Sequence, residues 1–115
     1  MRSAFVAALV AAAAVACSPG AQSYGDVDEL VAALREQAVG CSRVRPTAAE
    51  LVDDGATCES GGGRLSLFVF ETEADRDRWA GVAGQVADFA FGPNWAVVGP
   101  PAAIGRIVEG LGAER

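Results

Sequence analysis

Gly61-Gly62-Gly63-Arg64-Leu65-Ser66-Leu67-Phe68-Val69-Phe70 is the stretch on which the fold turns. Leu65, Leu67 and Val69 alternate with Arg64, Ser66 and Phe68, a period of two that gives a strand one apolar face. Towards Phe70 the run becomes apolar on both sides, as in a strand at the middle of a sheet. The glycines before it predict a hairpin turn back to a strand over residues 56–60.

Downstream, Thr72 with Asp75 three positions on is a helix-capping signal. Trp79, Val82, Ala83, Val86 and Phe89 follow at helical spacing, which predicts one apolar stripe and puts Trp79 in the core. Gly81 and Gly84 each lower helix propensity by about 1 kcal/mol, so close packing or a frayed middle is expected there. Gly92-Pro93-Asn94 reads as a turn, with Pro93 second and Asn94 tolerating left-handed geometry third. Residues 95–98 form a short strand. If it runs parallel to the strand at 64–70, the crossover between them is right-handed. Pro100-Pro101 opens a last helix carrying Ile104, Ile107, Val108 and Leu111 on one side.

Upstream, Asp26 and Glu29 make an Asp version of the capping box. Val27, Leu30, Val31, Leu34 and Ala38 form the apolar stripe of a helix that Gly40 ends as the residue past its cap. Pro46 and Thr47 suggest a loop, residues 50–52 a short strand and Asp53-Asp54-Gly55 a turn. The order is α-β-β-β-α-β-α. The fold class is α+β: a small antiparallel-rich sheet of about four strands, helices packed on one face, and one disulfide.

The first residues carry a different message. Met1, Arg2 and Ser3 precede thirteen uncharged, mostly Ala and Val positions, 4–16. Thirteen is short of the roughly twenty apolar residues a membrane span needs, and Ala14-Val15-Ala16 is an A-x-A cleavage site. Residues 1–16 therefore read as a signal peptide. Cys17 and the small polar residues to 25 read as a tether, and 26–115 as a single domain. Cleavage before Cys17 resolves the odd count of three cysteines. Cys17 stands at a lipobox-like position for lipidation, although Ala14 occupies the place where Leu is usual. Cys41 and Cys58 are left to pair in an oxidising space. Their separation of seventeen lacks the C-x-x-C form of a redox-active pair, so a structural staple is expected.

Without Arg2 the mature chain has eight arginines against fifteen carboxylates, a net charge of −7. Such a domain has no electrostatic footprint for nucleic acid. The sequence contains neither His nor Lys, which removes Ser-His-Asp, Cys-His, Ser-Lys and Schiff-base chemistry together. No cofactor motif and no metal-ligand spacing is present, and no catalytic residue is singled out. Glu50, Asp53, Asp54 and Glu59 could gather a cation, but a solvated turn explains them without one. Trp95, just after a turn, is the better candidate for a partly exposed aromatic. A contact surface is expected around Phe91, Pro93, Asn94 and Trp95.

From the cysteine pair onward the chain resembles small secreted or lipid-anchored proteins of actinobacteria that have no assigned function. The residues carrying the resemblance are Val39-Gly40-Cys41, Gly55-Ala56-Thr57-Cys58, Phe68-Val69-Phe70, the acidic helix with Trp79, and Phe91-Gly92-Pro93-Asn94-Trp95. It implies location and fold and brings no catalytic residue. The expected function is that of an exported, non-enzymatic interaction module, held on the membrane through Cys17, with an envelope protein or wall polymer as partner. A carboxylate-based wall-glycan hydrolase and a secreted peptidase inhibitor presenting its 42–57 loop are the alternatives.

Overall fold

The computed structural model describes residues 20–85 and 87–115; the leader, Cys17 and Val86 lie outside the described residues. The order is α1 (Val27–Glu36), β1 (Ser42–Thr47), β2 (Asp54–Ser60), β3 (Gly63–Val69), α2 (Glu73–Ala83), β4 (Phe89–Phe91), β5 (Trp95–Val98) and α3 (Pro101–Leu111). All pairings are antiparallel, in the sheet order β1-β2-β3-β5-β4. The expected α+β class, the central β3 and the Cys41–Cys58 disulfide are all present, with five strands instead of four.

One face of the sheet makes the core. Leu65, Leu67 and Val69 of β3, Ala56 and Cys58 of β2, and Trp95 and Val97 of β5 point to this side. They meet Val27, Leu30, Val31 and Leu34 of α1 and Ala103, Ile104 and Ile107 of α3. Each large aliphatic side chain closed off here contributes roughly 1.5–3 kcal/mol.

The fifth strand is the main correction. Phe89 stands at helical spacing from Trp79 and Val82, yet α2 stops at Ala83 and Phe89 begins β4. No residue of α2 is buried, and Val82 is 72% exposed, so the predicted stripe does not exist. The reason is that α2 lies against the other face of the sheet. There Trp79 reaches Phe68, Phe70 and Phe89, with ring centroids 5.1, 5.6 and 5.0 Å away. β3 and β5 are antiparallel, so the crossover through α2 leads to β4, with β5 inserted between.

Two further boundaries move. Asp26 and Glu29 cap α1 as read, Glu29 N–H donating to Asp26 Oδ1 and Gly25 N–H to Glu29 Oε1. At the other end Ala38, not Gly40, takes the left-handed turn (φ 59°), and Ala38 is exposed. Val39 N–H then reaches back to Leu34 O and Ala38 N–H to Arg35 O, a Schellman closure. Turning two residues early puts Val39, 1% exposed, into the core. The strand expected at 50–52 is instead β1, and it contains Pro46. An edge strand tolerates proline because one side of its ladder is unpaired. A bulge with Arg43 at φ 57° interrupts β1 between Ser42 and Arg45. Asp53-Asp54-Gly55 is no turn: Asp54 opens β2, and its Oδ2 accepts the first N–H of α1 from Val27 at 2.9 Å.

Candidate functional site

Gly92-Pro93-Asn94-Trp95 joins β4 to β5, and Gly92 N–H donates to Trp95 O at 3.0 Å. Asn94 keeps a negative φ, so left-handed geometry is not its task. Its side-chain amide pairs with Tyr24 in both directions. Tyr24 N–H donates to Oδ1 at 3.0 Å, and Nδ2 donates to Tyr24 O at 2.6 Å. The amide does here what a facing peptide unit does in a ladder. Beside it, Trp95 Nε1 donates to Gln22 O at 2.8 Å, and its indole packs on the Tyr24 ring at 5.8 Å. Gly92 is required beneath it, since a Cβ at that position would collide with the indole.

The predicted contact surface is thereby resolved into a clasp. Trp95 is 0% exposed, which overturns its reading as a partly exposed aromatic. Its N–H is satisfied by residues 70 or more positions upstream, a partner no local pattern announces. Phe91, Pro93 and Asn94 are half-buried. The Arg76 guanidinium, with 13% of its side chain exposed, lies 5.0 Å above the Phe91 ring. It donates to Gly92 O and Pro93 O at 2.7 and 3.2 Å. The four residues are brought together, but they hold the molecule to itself. Residues 21–25, read as free tether, are likewise part of the folded domain.

Beside the clasp, residues 20–24, α1 and the end of α3 enclose an open groove of about 600 Å³, rimmed by Glu29, Glu36 and Glu109. Burial pushes the Tyr24 phenol up from its ordinary value, and the nearby Glu36 carboxylate adds to it. The acids weighed as a cation site do not assemble. Asp54 is engaged with Val27, and Glu59 lies 4.0 Å from Arg43 at the opposite end of β2. Among the described residues no group of three or more His, Cys, Asp or Glu could hold a metal.

A second feature was not singled out in the sequence. The sheet face away from α1 is covered by α2 only over β3, β5 and β4. Over β1, β2 and the start of β3 it is an open shelf of about 230 Å³ lined by Arg43, Arg45, Arg64, Thr57 and Glu59. Register explains the gathering: Arg45 faces Thr57, Arg64 faces Glu59, and the β1 bulge re-aims Arg43. The available signal was Arg43-x-Arg45 at strand period, with Arg64 across the glycine hairpin. The buried Cys41–Cys58 disulfide, Cα atoms 5.2 Å apart, fastens β1 beneath this shelf. No family model matches this chain, and no curated protein or solved structure is significantly similar to it.

Proposed function

We propose that this chain is an exported, non-enzymatic interaction module held on the outer side of a cell membrane through lipid on Cys17. The observation that carries the reading is the Cys41–Cys58 disulfide, buried in the core and built into the sheet. Such a bond persists in oxidising compartments and leaves Cys17 as the odd thiol, at the first position after a cleavable leader. The clasp adds a geometric consequence. With Ala21 packed against the core and Gln22 and Tyr24 bound by Trp95 and Asn94, only residues 18–20 remain as spacer, at most about 10 Å of extended chain. The domain then rides close to its membrane, and its orientation is restricted by the clasp.

Intact-mass measurement on membrane-extracted protein, with and without reductant, tests this. The expected chain starts at Cys17, carries a diacylglyceryl group there, and gains two mass units on reduction of one disulfide. Cys17→Ser is expected in the soluble fraction with its disulfide intact. A chain that still begins at Met1 with three unmodified thiols overturns the proposal.

A further inference from the structure

We infer that the arginine shelf on the outer sheet face docks a phosphodiester-bearing polymer of the cell envelope. The inference rests on the proposed location and adds the partner's chemistry. Three of the eight arginines of an acidic mature chain converge on one shallow floor, from β1 and β3, around a single carboxylate, Glu59 of β2, which faces Arg64 in the register and lies 4.0 Å from Arg43. Among the described residues, neither Arg45 nor Arg64 makes an ion pair or a hydrogen bond through its guanidinium. Five guanidinium donors on each, in planar forks, suit phosphate oxygens closely. Thr57 between them supplies a hydroxyl on the same face.

A second observation is the backbone of Arg43. A residue with a Cβ adopts φ 57° only against steric resistance, and glycine would be the ordinary choice at that bulge. Arginine there keeps a third cation over the shelf.

Position selects a polymer over the membrane's own lipids. The N-terminal segment meets the core side of the sheet at the Asn94–Trp95 end. The shelf lies on the opposite face, and Arg64 is five strand residues, roughly 17 Å, from the Val69 that pairs with Trp95. A domain anchored at the first end turns the second away from the bilayer. An extended chain of phosphodiesters can cross the open floor, whereas net negative charge elsewhere repels it and confines contact to this patch.

The test uses the mature lipidated protein in nanodiscs of zwitterionic lipid, titrated with poly(glycerol phosphate), inorganic phosphate, phosphatidylglycerol vesicles and a single-stranded oligonucleotide. Saturable polymer binding that weakens steeply with salt is expected. In R45Q/R64Q it falls at least tenfold, with an unchanged thermal midpoint, and in E59Q it rises a few-fold. Binding that R45Q/R64Q leaves intact overturns the inference, as does binding no tighter than that of inorganic phosphate. Preference for the vesicles or the oligonucleotide also overturns it, in favour of a lipid or nucleic-acid surface. Intact mass reads the anchor separately, so a protein that is lipidated yet ignores the polymer refutes only this inference.

Discussion

Two fastenings hold loose ends of this chain to the same sheet, one covalent and one made of hydrogen bonds. The disulfide ties Cys41, at the foot of the edge strand β1, to Cys58 across seventeen residues. The clasp ties Gln22 and Tyr24 to Trp95 and Asn94 across 70 or more. The first restrains the chain even when unfolded, so its benefit is largely independent of what surrounds it. The second exists only once β4, β5 and the core beneath Trp95 have formed. Its strength depends on excluding water from the amide pairs. The same service, pinning a stretch of chain to the sheet, is thus obtained from opposite sides of the folding equilibrium.

Breaking the clasp at its centre has the largest expected effect. Trp95→Ala removes a fully buried indole and leaves Gln22 O without its donor, so a loss of about 3–5 kcal/mol is expected. Against the roughly 5–15 kcal/mol of a small domain this leaves little, and urea unfolding reads it directly. Trp95→Phe keeps a ring in the core without the N–H, and a loss near 1–2 kcal/mol isolates the bond. A Trp95→Ala variant within 1 kcal/mol of the parent would show that the indole does not anchor the core. The double Cys41→Ser/Cys58→Ser variant comes next, with about 3 kcal/mol lost from the chain-entropy term. Its Tyr24 environment should be unchanged, since the two fastenings share no partner; a shifted tyrosine titration in that variant contradicts their independence.

These two ties also mark how far the sequence could be read. Cysteine parity names a disulfide because only three residues of that type exist. The apolar alternation of β3 and the N-terminal cap of α1 are equally local, and they were legible. Asn94 was not, because a turn asparagine is explained well enough by backbone geometry, and its partner at Tyr24 lies beyond any periodic signal. The same blindness turned Phe89 into helix: spacings of three from Val86 and seven from Val82 satisfy a helical stripe whether or not the helix continues. What decides is the pairing of Phe89 with Val98 of β5 and its seat on the Trp79 ring, both of which are tertiary. The arginine shelf fell through for a related reason. Its members sit on different strands, and only the register across the glycine hairpin assembles them.

Asn94→Ala removes both hydrogen bonds to Tyr24 while leaving the indole seated, so a modest loss of about 1–2 kcal/mol is expected. Its sharper signature is local. Limited proteolysis should open the chain near residues 20–25 in this variant and not in the disulfide variant. Cleavage at the same rate in both would erase the distinction between the ties.

The smallest effect is the most direct view of the clasp, because Tyr24 is the one tyrosine in the sequence. Its phenol titrates above the ordinary value of about 10, chiefly through burial and secondarily through the Glu36 carboxylate. An acid whose folded pKa is raised favours the fold in its protonated form. That contribution is complete below about pH 10 and disappears as pH climbs through the folded value. Ultraviolet titration of Glu36→Gln should therefore bring the phenol down part of the way, since burial persists when the charge is gone. Asn94→Ala should bring it down further, because the ring then leaves its site against Trp95. If Glu36→Gln proves the larger change, charge and not enclosure governs this tyrosine, and the N-terminal segment is held more loosely than its hydrogen bonds imply.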